Sequence, residues 1–131
     1  MTVSRPARIV AIGFALGSLE HLVRLVLHGF GIELVAGYPA WRDAAFTVVD
    51  ASIACIGFTR PHRLFIPLLA FLIEQVAVNG TYAWRTWRGS GEILWMIPAM
   101  IVLIGAATAV ALQERRRYGD SVVAAPDGHS A

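Results

Sequence analysis

Long apolar runs, broken by short stretches of glycine, proline and arginine, fill almost the whole of this 131-residue chain. The first extends from about Ile9 to Phe30, roughly 22 residues or 33 Å at ~1.5 Å per residue, enough to cross a bilayer as a helix. The second, about Ala44 to Phe58, is short for that purpose, so it either begins earlier, near Pro39, or lies where the bilayer thins. A third runs from about Leu64 to Ala83, past Pro67, and leads into Tyr82, Trp84 and Trp87. The fourth, about Ile93 to Leu112, carries no charge and stops at Gln113-Glu114-Arg115. This pattern predicts an all-α protein, a bundle of four transmembrane helices with a dipping or interfacial loop between the first two. That loop, Gly31 to Asp43, mixes helix breakers with residues that favour the membrane interface, Tyr38 and Trp41 among them, and is placed to act as a lid.

Composition agrees with the pattern. Hydrophobic residues make up 56% of the chain and charged residues 15%, with a mean hydropathy of +0.61. Residues 1–117 are expected to form a single integral-membrane domain, which leaves no room for a separate soluble module. Residues 118–131, small and polar, are expected to be a disordered cytoplasmic tail. The formal charge is +2, and all eleven basic residues are arginine. Seven of them (Arg5, Arg8, Arg60, Arg63, Arg115, Arg116 and Arg117) fall at the termini and the second connection, against Arg42, Arg85 and Arg88 on the other side. The positive-inside rule then puts both termini in the cytoplasm and explains the basicity without nucleic acid as a partner. The absence of lysine fits a GC-rich bacterial genome, and the location expected is a bacterial cytoplasmic membrane. Cys55 is the only cysteine, so no internal disulfide forms. The N-terminal arginines and apolar stretch resemble a signal peptide, but the run continues through Leu27 and further spans follow, so the segment reads as a retained helix.

Charged side chains within these spans are the main functional clue, because each costs at least about 2.5 to 3.5 kcal/mol near the bilayer centre unless it pairs, protonates or meets water. Glu20, His21, Arg24 and His28 lie in the first span, Asp50 in the second, and Glu74, Gln75 and Asn79 in the third. On the first helix Gly13, Gly17, Glu20, Arg24 and His28 recur every three or four residues, a stripe expected to face the bundle interior. Thr47, Asp50, Ala54 and Gly57 make a similar stripe on the second. A bundle with these stripes inward gathers the three carboxylates into a column opening away from the cytoplasm. Tyr38, Trp41, Tyr82, Trp84 and Trp87 are expected to surround its mouth. Glu20 and Arg24 are spaced to pair within one helix, which leaves Asp50 and Glu74 without a permanent cation. No Glu-x-x-His pair or dense histidine set is present, so neither a metal nor another cofactor is expected.

The four-span layout, with an intramembrane charge on the first helix, the Tyr38-Pro39 connection and Asp50 early in the second, resembles the DoxX-like group of small integral membrane proteins. The resemblance covers about residues 9 to 112. It implies the fold and little chemistry, since that group is functionally mixed. By analogy, the acidic and aromatic pocket is similar to those of membrane sterol isomerases and small terpene cyclases.

The function expected is that of an integral-membrane enzyme. It would use intramembrane carboxylates for acid/base isomerisation, cyclisation or epoxide opening of a lipophilic, isoprenoid- or polyketide-like substrate. Asp50 or Glu74 would donate the proton, with Glu20, His21 or His28 as base or orienting group. Arg24, Gln75, Asn79, Tyr38, Trp41, Tyr82 and Trp84 would bind substrate. Membrane lipid and a second copy of the chain are the other expected partners. The alternatives are a subunit of a proton-coupled transporter or channel, in which the carboxylates relay protons, and an accessory subunit of a larger membrane complex.

Overall fold

The computed structural model describes residues 3–32 and 39–123, and among them every regular element is helical. Five helices follow in chain order: α1 (Arg5–Gly29), α2 (Ala40–Thr59), α3 (Phe65–Gln75), α4 (Thr81–Ser90) and α5 (Met96–Val123). A 3-10 turn, Pro61–Arg63, precedes α3, and a π-helical turn, Val76–Gly80, joins α3 to α4 without a break. Among the described residues, three helical stretches are long and apolar enough to cross a membrane: Arg5–Gly29, Phe65–Ser90 and Met96–Val122. Ile9, Leu16, Ile66, Ile73, Val102 and Leu103 on these helices are all at least 60% exposed. Apolar surface on that scale suits lipid rather than water.

The chain divides into two compact units, Met1–Arg60 and Pro61–Ala131. In the first, Ser4 caps α1 by accepting from the Ala7 amide, with Pro6 in the opening turn where a missing N–H costs nothing. The helix ends where Gly31, at a φ of 75°, donates to the carbonyl of His28. α2 starts directly after Pro39, so the second apolar run is lengthened at its N-terminal end and gains Trp41 and Asp43. Of the expected interfacial loop, Ala40–Asp43 is therefore helical. Residues 33–38, including Tyr38, lie outside the described residues.

α1 and α2 pack antiparallel. His21 meets Asp43, Ser18 meets Thr47 and Gly17 meets Asp50, so positions fall along one helix as they rise along the other. The seam follows Ala7, Ala11, Phe14, Ser18 and His21 on α1 and Asp43, Thr47, Asp50, Ala54 and Gly57 on α2, a spacing of three and four residues on each. Small side chains such as Ala7, Ala11, Ala54 and Gly57 let the two backbones approach closely. The stripe expected on α2 is the one that faces α1. On α1 the stripe is turned: Gly17 faces α2, while Gly13 and Glu20 are exposed.

The two glycines of Gly13-xxx-Gly17 consequently differ. A Cβ on Gly17 would stand 2.8 Å from Oδ2 of Asp50, whereas one on Gly13 would meet nothing within 4 Å. Gly17→Val is expected to destabilise the protein by about 1–3 kcal/mol through overpacking, and Gly13→Ala to be neutral or stabilising by up to about 1 kcal/mol through helix propensity. Thermal unfolding of both variants in detergent checks the contrast.

The second unit is also an antiparallel pair. His62 stacks on Tyr118, the Arg115 guanidinium lies over Phe65, and Gly80 faces Ile101. Leu64, Leu68, Gln75, Ile104, Thr108 and Ala111 are buried along this seam. α5 continues past its apolar stretch because Glu114 pairs with Arg117 one turn on and Tyr118 is held by the His62 ring, with centroids 4.0 Å apart. Residues 118–123, expected in a disordered tail, are thus helical, and 124–131 lie outside the described residues.

Candidate functional site

The densest polar constellation lies in the seam between α1 and α2. Nδ1 of His21 donates to Oδ1 of Asp43 at 2.8 Å, with the two side chains 19% and 7% exposed. The face of the imidazole stacks on Phe46, centroids 5.2 Å apart and planes inclined by 26°. Arg42 in turn lies 5.7 Å above the Phe46 ring. With Nδ1 committed to a carboxylate, the ring's Nε2 is left as the nitrogen that can accept or give a proton. A carboxylate–imidazole pair with one free nitrogen is the arrangement by which proteins fix a histidine for proton transfer.

One turn deeper along the seam, the hydroxyl of Ser18 donates to the backbone carbonyl of Thr47 at 2.9 Å, while Thr47 Oγ1 donates to the carbonyl of Asp43 at 2.7 Å. Both hydroxyls are thereby satisfied, and the first bond, which crosses from α1 to α2, holds the helices in register. The two bonds leave Asp50 unattended. Its side chain is buried beneath Gly17, 5% exposed, and among the described residues Oδ1 has no hydrogen-bond partner. His21 and Glu20 are the titratable groups close enough to act on it electrostatically. An unattended buried carboxyl oxygen is costly in a merely structural role, which is why such groups concentrate where protons or ligands are handled.

Glu20 and Arg24 form the intrahelical ion pair that their spacing predicts, but on the exposed side of α1, with the Glu20 side chain 58% exposed. They border the seam rather than line it. His28 is half-buried one heptad beyond His21, near the end of α1.

Of the remaining expected site residues, Tyr38 lies outside the described residues, Trp41 is on α2, and Glu74, Gln75, Asn79, Tyr82 and Trp84 belong to the second unit. Gln75, 2% exposed, donates through Nε2 to Oε2 of Glu74 at 2.6 Å and accepts at Oε1 from Asn79 Nδ2. The chain Glu74–Gln75–Asn79 runs into the π-helical turn, a distortion found often at functional sites. Glu74 is therefore partnered, by an amide instead of a cation. Tyr82 and Trp84 are exposed on α4, where the Trp84 ring is tilted against Trp87 and has Arg88 5.9 Å from its centre. Trp41 is 69% exposed on α2. Each of the three is exposed on its own helix.

Asp43, the partner of His21, is the candidate site residue that sequence reasoning passes over. It sits seven residues before Asp50, so the heptad that selects Asp50 selects Asp43 as well. Ser18 escapes for the related reason that the α1 stripe is drawn through its charged residues. Among the described residues no three His, Cys, Asp or Glu side chains converge as a metal ion would require. The chain matches no protein-family model, no curated protein and no solved structure.

Proposed function

We propose that the protein is an integral-membrane acid–base catalyst acting on a lipophilic, alkene-bearing substrate, with its site in the α1–α2 seam. The observation that carries this reading is the buried Asp50 carboxyl, whose Oδ1 is uncommitted, on the same seam as a histidine already oriented by Asp43. Asp50 is the proton donor. His21, through Nε2, takes up the proton released from substrate, and Asp43 holds the ring. Glu74 is the weaker candidate, because Gln75 already occupies its carboxylate.

On this proposal α2 crosses the membrane as a fourth span. α2 has 20 residues, about 30 Å at ~1.5 Å per residue, enough for the hydrocarbon core. It runs beside α1 in register, so it shares the depth of a helix apolar enough to cross. Its acidic side chains, Asp43 and Asp50, are turned onto α1 and away from lipid. Four spans put both termini on the arginine-rich side, and this is the layout on which the DoxX-like resemblance rests.

Deuterium uptake tests the proposal. Purified protein in lipid nanodiscs, incubated in D2O with a panel of isoprenoid lipids, is expected to place solvent deuterium on carbon in an isomerised or cyclised product. Equal uptake with Asp50→Asn, or none with any lipid of the panel, would overturn it. A proton-coupled transporter is favoured by a different observation, the hydrogen-bonded chain Glu74–Gln75–Asn79 at the π-helical turn. Proton flux into liposomes that is lost on Glu74→Gln supports that alternative.

A further inference from the structure

The end of α5 and the turn before α3 form a basic surface that the α1–α2 chemistry does not use. α5 and α3 run antiparallel, so the start of one lies beside the end of the other. The 3-10 turn Pro61–Arg63 is fixed there by the His62–Tyr118 stack, and Arg115 is fixed over Phe65 at 5.6 Å. Arg63 is thereby added to the consecutive Arg115, Arg116 and Arg117, and all four side chains are exposed. Successive residues on a helix diverge by about 100°, so the three α5 arginines form a collar and not a single ridge.

Charge and depth identify the partner. Four arginines face two carboxylates in this region, Glu114 and Asp120. Glu114 pairs with Arg117 at 3.3 Å, and among the described residues no carboxylate pairs with Arg63, Arg115 or Arg116. The apolar part of α5, Met96 to Leu112, spans about 25 Å at ~1.5 Å per residue, so Arg115 emerges at the edge of a hydrocarbon core of roughly 30 Å. Guanidinium groups at that level meet lipid phosphates and bind them through paired N–H donors.

We infer that Arg63, Arg115, Arg116 and Arg117 form a binding site for the headgroups of acidic phospholipids. Two elements build it. The stacked His62 and Tyr118 rings hold the turn against α5, so the site is preformed rather than gathered by a mobile tail.

Native mass spectrometry of the full chain in detergent, titrated with phosphatidylglycerol or phosphatidylcholine, tests the inference. Phosphatidylglycerol adducts are expected to predominate and to weaken as salt is raised. With each arginine near the surface contributing a factor of about five, the R115Q/R116Q/R117Q variant should lose the preference by about a hundredfold, and R63Q alone by about fivefold. Circular dichroism should show the helices unchanged in both variants. Equal retention of the two lipids, or a preference that survives the triple substitution, would overturn the site. An unchanged preference in R63Q would overturn its two-element construction. Displacement of bound lipid by millimolar inorganic phosphate would show a free-anion site instead, and would also overturn it.

Discussion

Replacing Asp50 with asparagine is expected to lower turnover about a hundredfold to ten-thousandfold while leaving the helices intact. The substitution keeps the size of the side chain, so the packing of residue 50 against Gly17, where a Cβ would already be too close, is undisturbed. What it removes is the acidic proton. A carboxamide cannot protonate an alkene, so the loss should appear in kcat, with KM little changed. His21→Gln should fall in the same range, because it removes the nitrogen left available by the bond to Asp43. Glu74→Gln and Glu20→Gln serve as internal controls, expected within about threefold of the parent, an effect under about 1 kcal/mol. Glu74 is occupied by Gln75, and Glu20 lies on the outer face of α1 with Arg24. A large loss in Glu74→Gln with none in Asp50→Asn would move the chemistry to the second unit.

The largest effect on stability is expected at Gln75. It is among the few large side chains that are almost fully buried, and it is the central member of a three-residue hydrogen-bonded chain. Alanine at this position removes both bonds and leaves Glu74 and Asn79 unpaired beside a cavity. Polar side-chain bonds in membrane proteins contribute about 0.6 kcal/mol on average and up to about 1.7. The cavity adds roughly 1–2 kcal/mol for the side-chain atoms lost. A destabilisation of about 2–4 kcal/mol is expected for Gln75→Ala. Gln75→Met fills the space without replacing the bonds, so it should cost only about 1–2 kcal/mol. Equilibrium unfolding in mixed micelles measures both. A cost below about 0.5 kcal/mol for Gln75→Ala would show that the chain of amides contributes nothing to the fold.

Helix positions are readable in the sequence because length, caps and breakers report them directly. The apolar run from Ile9 marks α1, although Ser4 and Pro6 start the helix earlier, at Arg5, and Pro39 marks the earlier beginning that the short second run allows for α2. Which face of α1 meets α2 is harder to read. In a helix apolar on every side, hydrophobic periodicity carries no information, and the eye follows the charges instead. The seam follows small residues, Ala7, Ala11 and Ser18, and ends on His21. Glu20 and Arg24 can remain outside because they neutralise each other.

Asp50 is legible as an unmatched carboxylate within an apolar run. Its neighbour Asp43 is hidden when Gly31 to Asp43 reads as a loop, and once the helix begins at Ala40 the two share a face. The π-helical turn leaves no mark in the sequence beyond Asn79-Gly80, since the insertion of a wider turn depends on packing. The helical stretch of α5 beyond Arg117 depends on a stacking contact with His62, far away along the chain.

The state of the His21 ring is the most direct measurement of the proposed centre. In 15N-histidine-labelled protein in nanodiscs, the His21 Nδ1 is expected to carry a proton directed to Asp43, with its exchange slowed by the bond to that buried carboxylate. Asp43→Ala should release Nδ1 and move the neutral-ring proton to Nε2, changing both nitrogen shifts, while the His62 signals stay where they are. A His21 ring whose Nδ1 is unprotonated in the parent protein, or whose spectrum is the same with and without Asp43, would contradict the site.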